Sequence, residues 1–158
     1  MSDTGSRRWL RDALAWEGAH VTFDKAVNGI PPRLRGVVPA GLPHSAWQLV
    51  EHIRLAQADI VEFCVNPKYR WKKFPDAYWP KSVAPKDAAA WKASIAAVRR
   101  DRRALQRFAN DPTLDLDTKV PAGDDQTYFR EIVLAIDHTA YHVGQIVLVR
   151  RALGTWAE

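Results

Sequence analysis

At 158 residues, 47% hydrophobic and 26% charged, the chain has the size and make-up of one globular domain, 1–158, and not of a disordered or fibrous protein. Its single cysteine, Cys64, excludes an internal disulfide and a cysteine-rich zinc site, and makes the reducing cytoplasm the natural setting. A net charge of +5 leaves anionic partners open without selecting one.

Met1 to Arg8 has no apolar stretch after its charges, and no later run reaches the roughly 20 uncharged apolar residues of a membrane span. Neither a signal peptide nor a transmembrane helix is expected. From Arg7 to Asn28, the residues Trp9, Ala13, Trp16, His20, Phe23 and Val27 recur at helical spacing and predict a first helix. Asn28-Gly29 ends it and Pro31-Pro32 blocks its continuation, so the basic, proline-rich segment from Pro31 to Pro43 is a long connection.

Ser45 followed by Gln48 has the capping-box form, and Leu49, His52, Ala56, Ile60 and Phe63 carry a second helix to Val65 with His52 turned inward. Asn66-Pro67 stops it, since proline disfavours helical geometry in the residue before it. The stretch from Tyr69 to Trp79 is then dense in aromatics, lysines and prolines, and has no period. A connection this long is uncommon unless it has a function or crosses over the fold, and its length lets the helices on either side lie parallel.

Trp91, Ile95, Val98, Arg102, Leu105 and Phe108 predict a third helix over Lys86–Asn110 with a basic outer face. An acidic, turn-rich segment follows, in which Asp124 or Asp125 can cap a fourth helix running to Leu153, with Gly154 as its stop. Four helices, long connections and no alternating strand pattern make an all-α four-helix bundle the most economical architecture.

The fourth helix carries His138 and His142 four residues apart, on one face and about 6 Å apart along the axis. They share a stripe with Ala135, Ile146 and Val149, and neutral imidazole is a good ligand for zinc, nickel, iron or copper. A core pair satisfied by ordinary hydrogen bonds explains the same spacing. An inward His52 on another helix would complete a three-histidine face with coordination positions left for water or substrate, which is the style of a catalytic site. Trp16, His20, Gln48 and Gln145 are candidates to line it, although His20 reads better as a core or rim histidine. His44 is expected in a surface loop, and Cys64 as a small buried hydrophobe.

His52, the long connections, the motif His138-Thr139-Ala140-Tyr141-His142-Val143-Gly144-Gln145 and the ending Arg151-Ala152-Leu153-Gly154 together resemble the DinB/YfiT-like family of four-helix bundles, read as metalloenzymes. The resemblance implies a divalent metal, zinc or nickel, held by His52, His138 and His142, in a bundle whose second and third helices run parallel (up-down-down-up). It also implies a small-molecule substrate, a low-molecular-weight thiol as cosubstrate in some relatives, and a homodimer. Val143 departs from the arginine that often follows the last histidine in the family, and so removes any substrate contact that arginine makes.

The leading expectation is therefore a metal-dependent transferase or hydrolase, with the loop from Tyr69 to Trp79 as a pocket wall that attracts an anionic thiol, or else as a packed crossover or dimer contact. A non-catalytic metal-binding or interaction bundle is the alternative. Nucleic-acid binding through Arg99, Arg100, Arg102, Arg103 and Arg107 is unsupported by any recognised fold, and these residues read better as a solvated face.

Overall fold

The computed structural model describes residues 3–156, so Met1 and Ser2 of the N-terminal stretch lie outside it. Five α-helices and no strand occur among the described residues: α1 Asp3–Ala13, α2 Phe23–Val27, α3 Ala46–Val65, α4 Ala88–Asn110 and α5 Tyr128–Ala152. The long ones start where the sequence supplies a cap. Ser45 and Gln48 close a complete capping box on α3, Asp87 accepts from the Ala90 N–H at the start of α4, and Thr127 accepts from the Arg130 N–H at the start of α5. The α5 cap is thus Thr127, not Asp124 or Asp125, and α4 begins at Ala88, two residues after the predicted start.

The predicted first helix is two helices. After Ala13 the chain bends until Thr22, whose hydroxyl accepts from the Lys25 N–H and starts α2. In the bend the Trp16 indole folds over Gly18, where a Cβ would stand 2.1 Å from the ring. The buried face of the first piece is Leu10 and Leu14, while Trp9 and Trp16 are about half exposed and His20 is exposed. A single stripe drawn from Trp9 to Val27 joins residues of two helices that differ in phase.

Helix α3 packs against both α4 and α5, while α1 lies on α4 and α2 on α5. Along the α3–α4 contact, Trp47 meets Trp91 and the Glu51 carboxylate accepts from the Ser94 hydroxyl. Along α3–α5, His52 meets His138 and His142, and the Cys64 carbonyl accepts from the Tyr128 hydroxyl. The apolar core falls into two clusters. One gathers α2, the first half of α3 and the second half of α5; the other gathers α1 with the far end of α3 and the start of α5. The histidines stand at the junction.

By length and composition α5 is long and apolar enough to cross a membrane, contrary to the expectation that no segment is. Its inward side chains include Glu131, His142 and Arg150, which are buried inside the fold, and Arg150 donates to the Ala26 carbonyl that ends α2. On α4, Arg99 and Arg102 both pair with Asp24 of α2, and Arg100 pairs with Asp101, so three of its arginines serve packing between and along helices.

The two long connections touch. A Cβ on Gly36 would lie 2.2 Å from the Ala84 Cβ and 2.8 Å from its backbone Cα, and the Ser45 hydroxyl donates to the Val83 carbonyl next to it. Gly36→Ala should therefore cost about 1–3 kcal/mol in a denaturant titration, since backbone cannot yield as a flexible side chain can. An unchanged midpoint would mean that the connections separate freely.

Candidate metal centre

The chain brings His52, His138 and His142 together. Each offers one ring nitrogen to a cluster whose ligand atoms all lie within 4.8 Å of one another, and the Nε2 atoms of His52 and His138 are 3.0 Å apart. Two nitrogens bound to one zinc at about 2.0–2.1 Å stand roughly 3 Å from each other, so this pair already has ligand spacing.

The outer nitrogens explain why the inner ones converge. His52 Nδ1 lies 2.7 Å from the Tyr78 carbonyl oxygen, and His142 Nδ1 lies 2.7 Å from Gln145 Oε1. Both acceptors require Nδ1–H, which leaves a lone pair on each Nε2, the tautomer that a metal site demands. His138 then has to supply the proton between the two Nε2 atoms of the close pair. Its own Nδ1 is buried and makes no hydrogen bond among the described residues. With the His138 proton moved to its own Nδ1, the Nε2 lone pair of His138 would join that of His52 across the 3.0 Å gap, and the three residues fit a divalent metal in this respect.

Burial pushes His138 down to about 4, with the His142 and His52 charges adding to it. His142 is also pushed down to about 4, chiefly by burial, against the Gln145 hydrogen bond that favours its charged form. His52 is lowered by burial as well, with the Tyr78 bond opposing. All three are neutral at pH 7, as ligands must be. Because the folded values lie below the ordinary histidine value of about 6.5, this contribution to stability is complete above that value and is lost as the pH falls toward 4. The thermal midpoint of metal-free protein should drop across that window. A His138→Ala/His142→Ala double variant should show a flatter slope, and equal slopes would contradict the burial of these rings.

Two residues reach the centre in a way the sequence did not signal, Trp79 being expected only within a pocket wall or crossover and His44 in a surface loop. Trp79, in the connection after α3, lies flat on His52 with centroids 4.0 Å apart and planes 4° apart, and its other face takes His44 at 4.1 Å. His44 is half-buried in this stack and not a free surface residue. Neither position carries a periodic signal, since both lie outside helices. Of the lining candidates, Gln145 reaches the centre through His142, whereas Gln48 is turned to the Ser45 N–H as a cap. Trp16 and His20 border a separate small cavity with Thr139 and Val143, away from the histidine cluster, because α1 ends before either of them. Cys64 is fully buried, and burial together with the Glu131 charge pushes its thiol up to about 12. It is no nucleophile at neutral pH.

The three histidines line a cavity of about 590 Å³ between α3, α5 and the 66–87 connection. Its wall includes Trp71, Phe74, Tyr78 and Trp79, so the aromatic loop lines the chamber beside the centre. The loop is tied down at Asp59 of α3. That buried carboxylate accepts from the Tyr78 hydroxyl at 2.6 Å and the Tyr69 hydroxyl at 3.0 Å, and pairs with Lys72 at 2.8 Å. Tyr78 thus links Asp59, through its hydroxyl, to His52, through its carbonyl.

A family model described as the DinB superfamily matches residues 15–146. No curated protein and no solved structure matches the chain.

Proposed function

Since the chain belongs to the DinB superfamily, we propose that it is a divalent-metal-dependent enzyme of the thiol-dependent transferase or hydrolase type, with His52, His138 and His142 as the ligands of zinc or nickel. The observation that carries the proposal is the convergence of three neutral histidines that line a cavity, with the outer nitrogens of His52 and His142 held by Tyr78 and Gln145. In the same reading the bundle is up-down-down-up, supported by Trp47–Trp91 and Glu51–Ser94 following one order along α3 and α4.

A bound dication supplies Lewis acidity that lowers the pKa of a thiol or water brought to it. The chain's own residues do the rest. Tyr78 and Gln145 fix the tautomers of His52 and His142, the Trp79 ring holds the plane of His52, and aromatic side chains line the cavity beside the centre. A histidine-only ligand set adds no negative charge, so the full charge of the cation acts on what enters. The proposal includes a small-molecule substrate and a cytoplasmic homodimer; a monomer mass at all concentrations in sedimentation equilibrium would remove the dimer.

The test is a panel of low-molecular-weight thiols assayed with a general electrophile on zinc- or nickel-loaded protein. Conjugation that requires both metal and thiol is the expected result. Turnover without thiol dependence would assign hydrolysis, and retained metal with no turnover would assign a non-catalytic metal-binding bundle.

A further inference from the structure

The cavity beside the histidines is lined by exposed aromatic rings, and the one lysine or arginine in its lining among the described residues, Arg130, is paired with Glu131. Trp71, Phe74 and Tyr141 are 68%, 72% and 65% exposed, although each borders the same chamber. Three large rings left in water around one opening call for an occupant, because solvent exposure of clustered aromatics is unfavourable and ligand chambers are commonly lined this way. The Trp71 ring is held in place from behind, against Phe63 at 5.1 Å and Tyr69 at 5.5 Å.

The charges nearby cancel. Glu131, buried in the wall, pairs with Arg130, and Asp59 pairs with Lys72, which also pairs with Glu62 at 2.8 Å. Lys72, the lysine of the aromatic loop closest to this network, is therefore engaged by two carboxylates and is not held out for an anion. In the metal-free chamber an anionic ligand would meet Asp59 and Glu131, whose partners Lys72 and Arg130 are already paired among the described residues, and a cationic one would find both carboxylates already compensated.

We infer that this chamber takes an uncharged, planar aromatic molecule, which lies against the rings of Trp71, Phe74 and Tyr141 with its reacting end toward the histidines. The volume of about 590 Å³ suits a substrate of two or three rings. The inference rests on reading this cavity as the substrate chamber of the proposed enzyme, and it names the electrophile's class.

Metal-free protein is titrated calorimetrically with three probes that share one ring system: 2-naphthylmethanol, 2-naphthoate and 2-naphthylmethylammonium. The neutral alcohol should bind saturably and at least about tenfold more tightly than either ion. Trp71→Ala and Phe74→Ala should each weaken it about fivefold while the helical circular dichroism signal stays unchanged, since both side chains are exposed. The inference is overturned if either ion binds as tightly as the alcohol, if the alcohol fails to saturate, or if both variants bind it like the parent. Metal is absent from these titrations, so loss of the metal reading leaves the result standing. Metal binding without probe binding removes this inference alone.

Discussion

Replacing His142 by alanine should weaken zinc binding by more than the roughly 10–100-fold that an outer-shell partner is worth. His142 provides one of three converging nitrogens, and two imidazoles at 3.0 Å cannot enclose a cation by themselves. Competition against a chromophoric chelator reads the affinity. Thermal melts give a second reading, because a ligand that binds only the folded state raises its midpoint, and zinc should raise the parent's midpoint but not the variant's. Gln145→Leu should fall in between, with a loss of about 10–100-fold, because it removes the acceptor that fixes the His142 tautomer and leaves the ligand in place. Equal zinc affinity in the parent and in His142→Ala would show that this histidine is not a ligand.

Asp59→Ala should be the most damaging change outside the histidines. Two phenol hydroxyls lose a charged acceptor, and Lys72 loses one of its two partners. Hydrogen bonds to charged groups contribute about 1.5–3 kcal/mol each, and the half-exposed lysine adds little, so a loss of about 3–6 kcal/mol is expected in a denaturant titration. The effect should also reach the metal. Freed from Asp59, Tyr78 no longer holds its carbonyl against His52 Nδ1, and zinc affinity should drop about tenfold. Tyr78→Phe should reproduce part of both effects. If stability fell with no change in zinc affinity, Asp59 would anchor the loop without positioning His52.

The part of the fold that rests on helical period was legible in the sequence. The Ser45–Gln48 box, the Asn66-Pro67 stop and the four-residue histidine spacing each act within a turn or two, and the structure places α3 and α5 accordingly. The break in the first predicted helix was not legible, because it depends on Trp16 folding over Gly18 and on Thr22 capping a new start in competition with a continuous stripe. The same break removed Trp16 and His20 from the neighbourhood of the centre.

Within the site, residues on helices could be assigned to a face, and residues in connections could not. Tyr78 and Trp79 reach His52 only because the 66–87 connection folds back over α3, His44 joins them by stacking on Trp79, and the anchor for that fold, Asp59, reads in sequence as an ordinary helical acid. One local signal was available: an aspartate seven residues after His52 lies two helical turns away on the same face. Its buried partners, two tyrosines and a lysine from an aperiodic loop, are a tertiary outcome.

The central claim is that three imidazoles hold one divalent cation. X-ray absorption at the zinc edge on protein loaded with one equivalent tests it most directly. The account predicts a nitrogen and oxygen shell at about 2.0–2.1 Å, with outer-shell scattering from three imidazole rings and no sulfur at about 2.3 Å. A sulfur shell, or scattering from fewer than three rings, would contradict it.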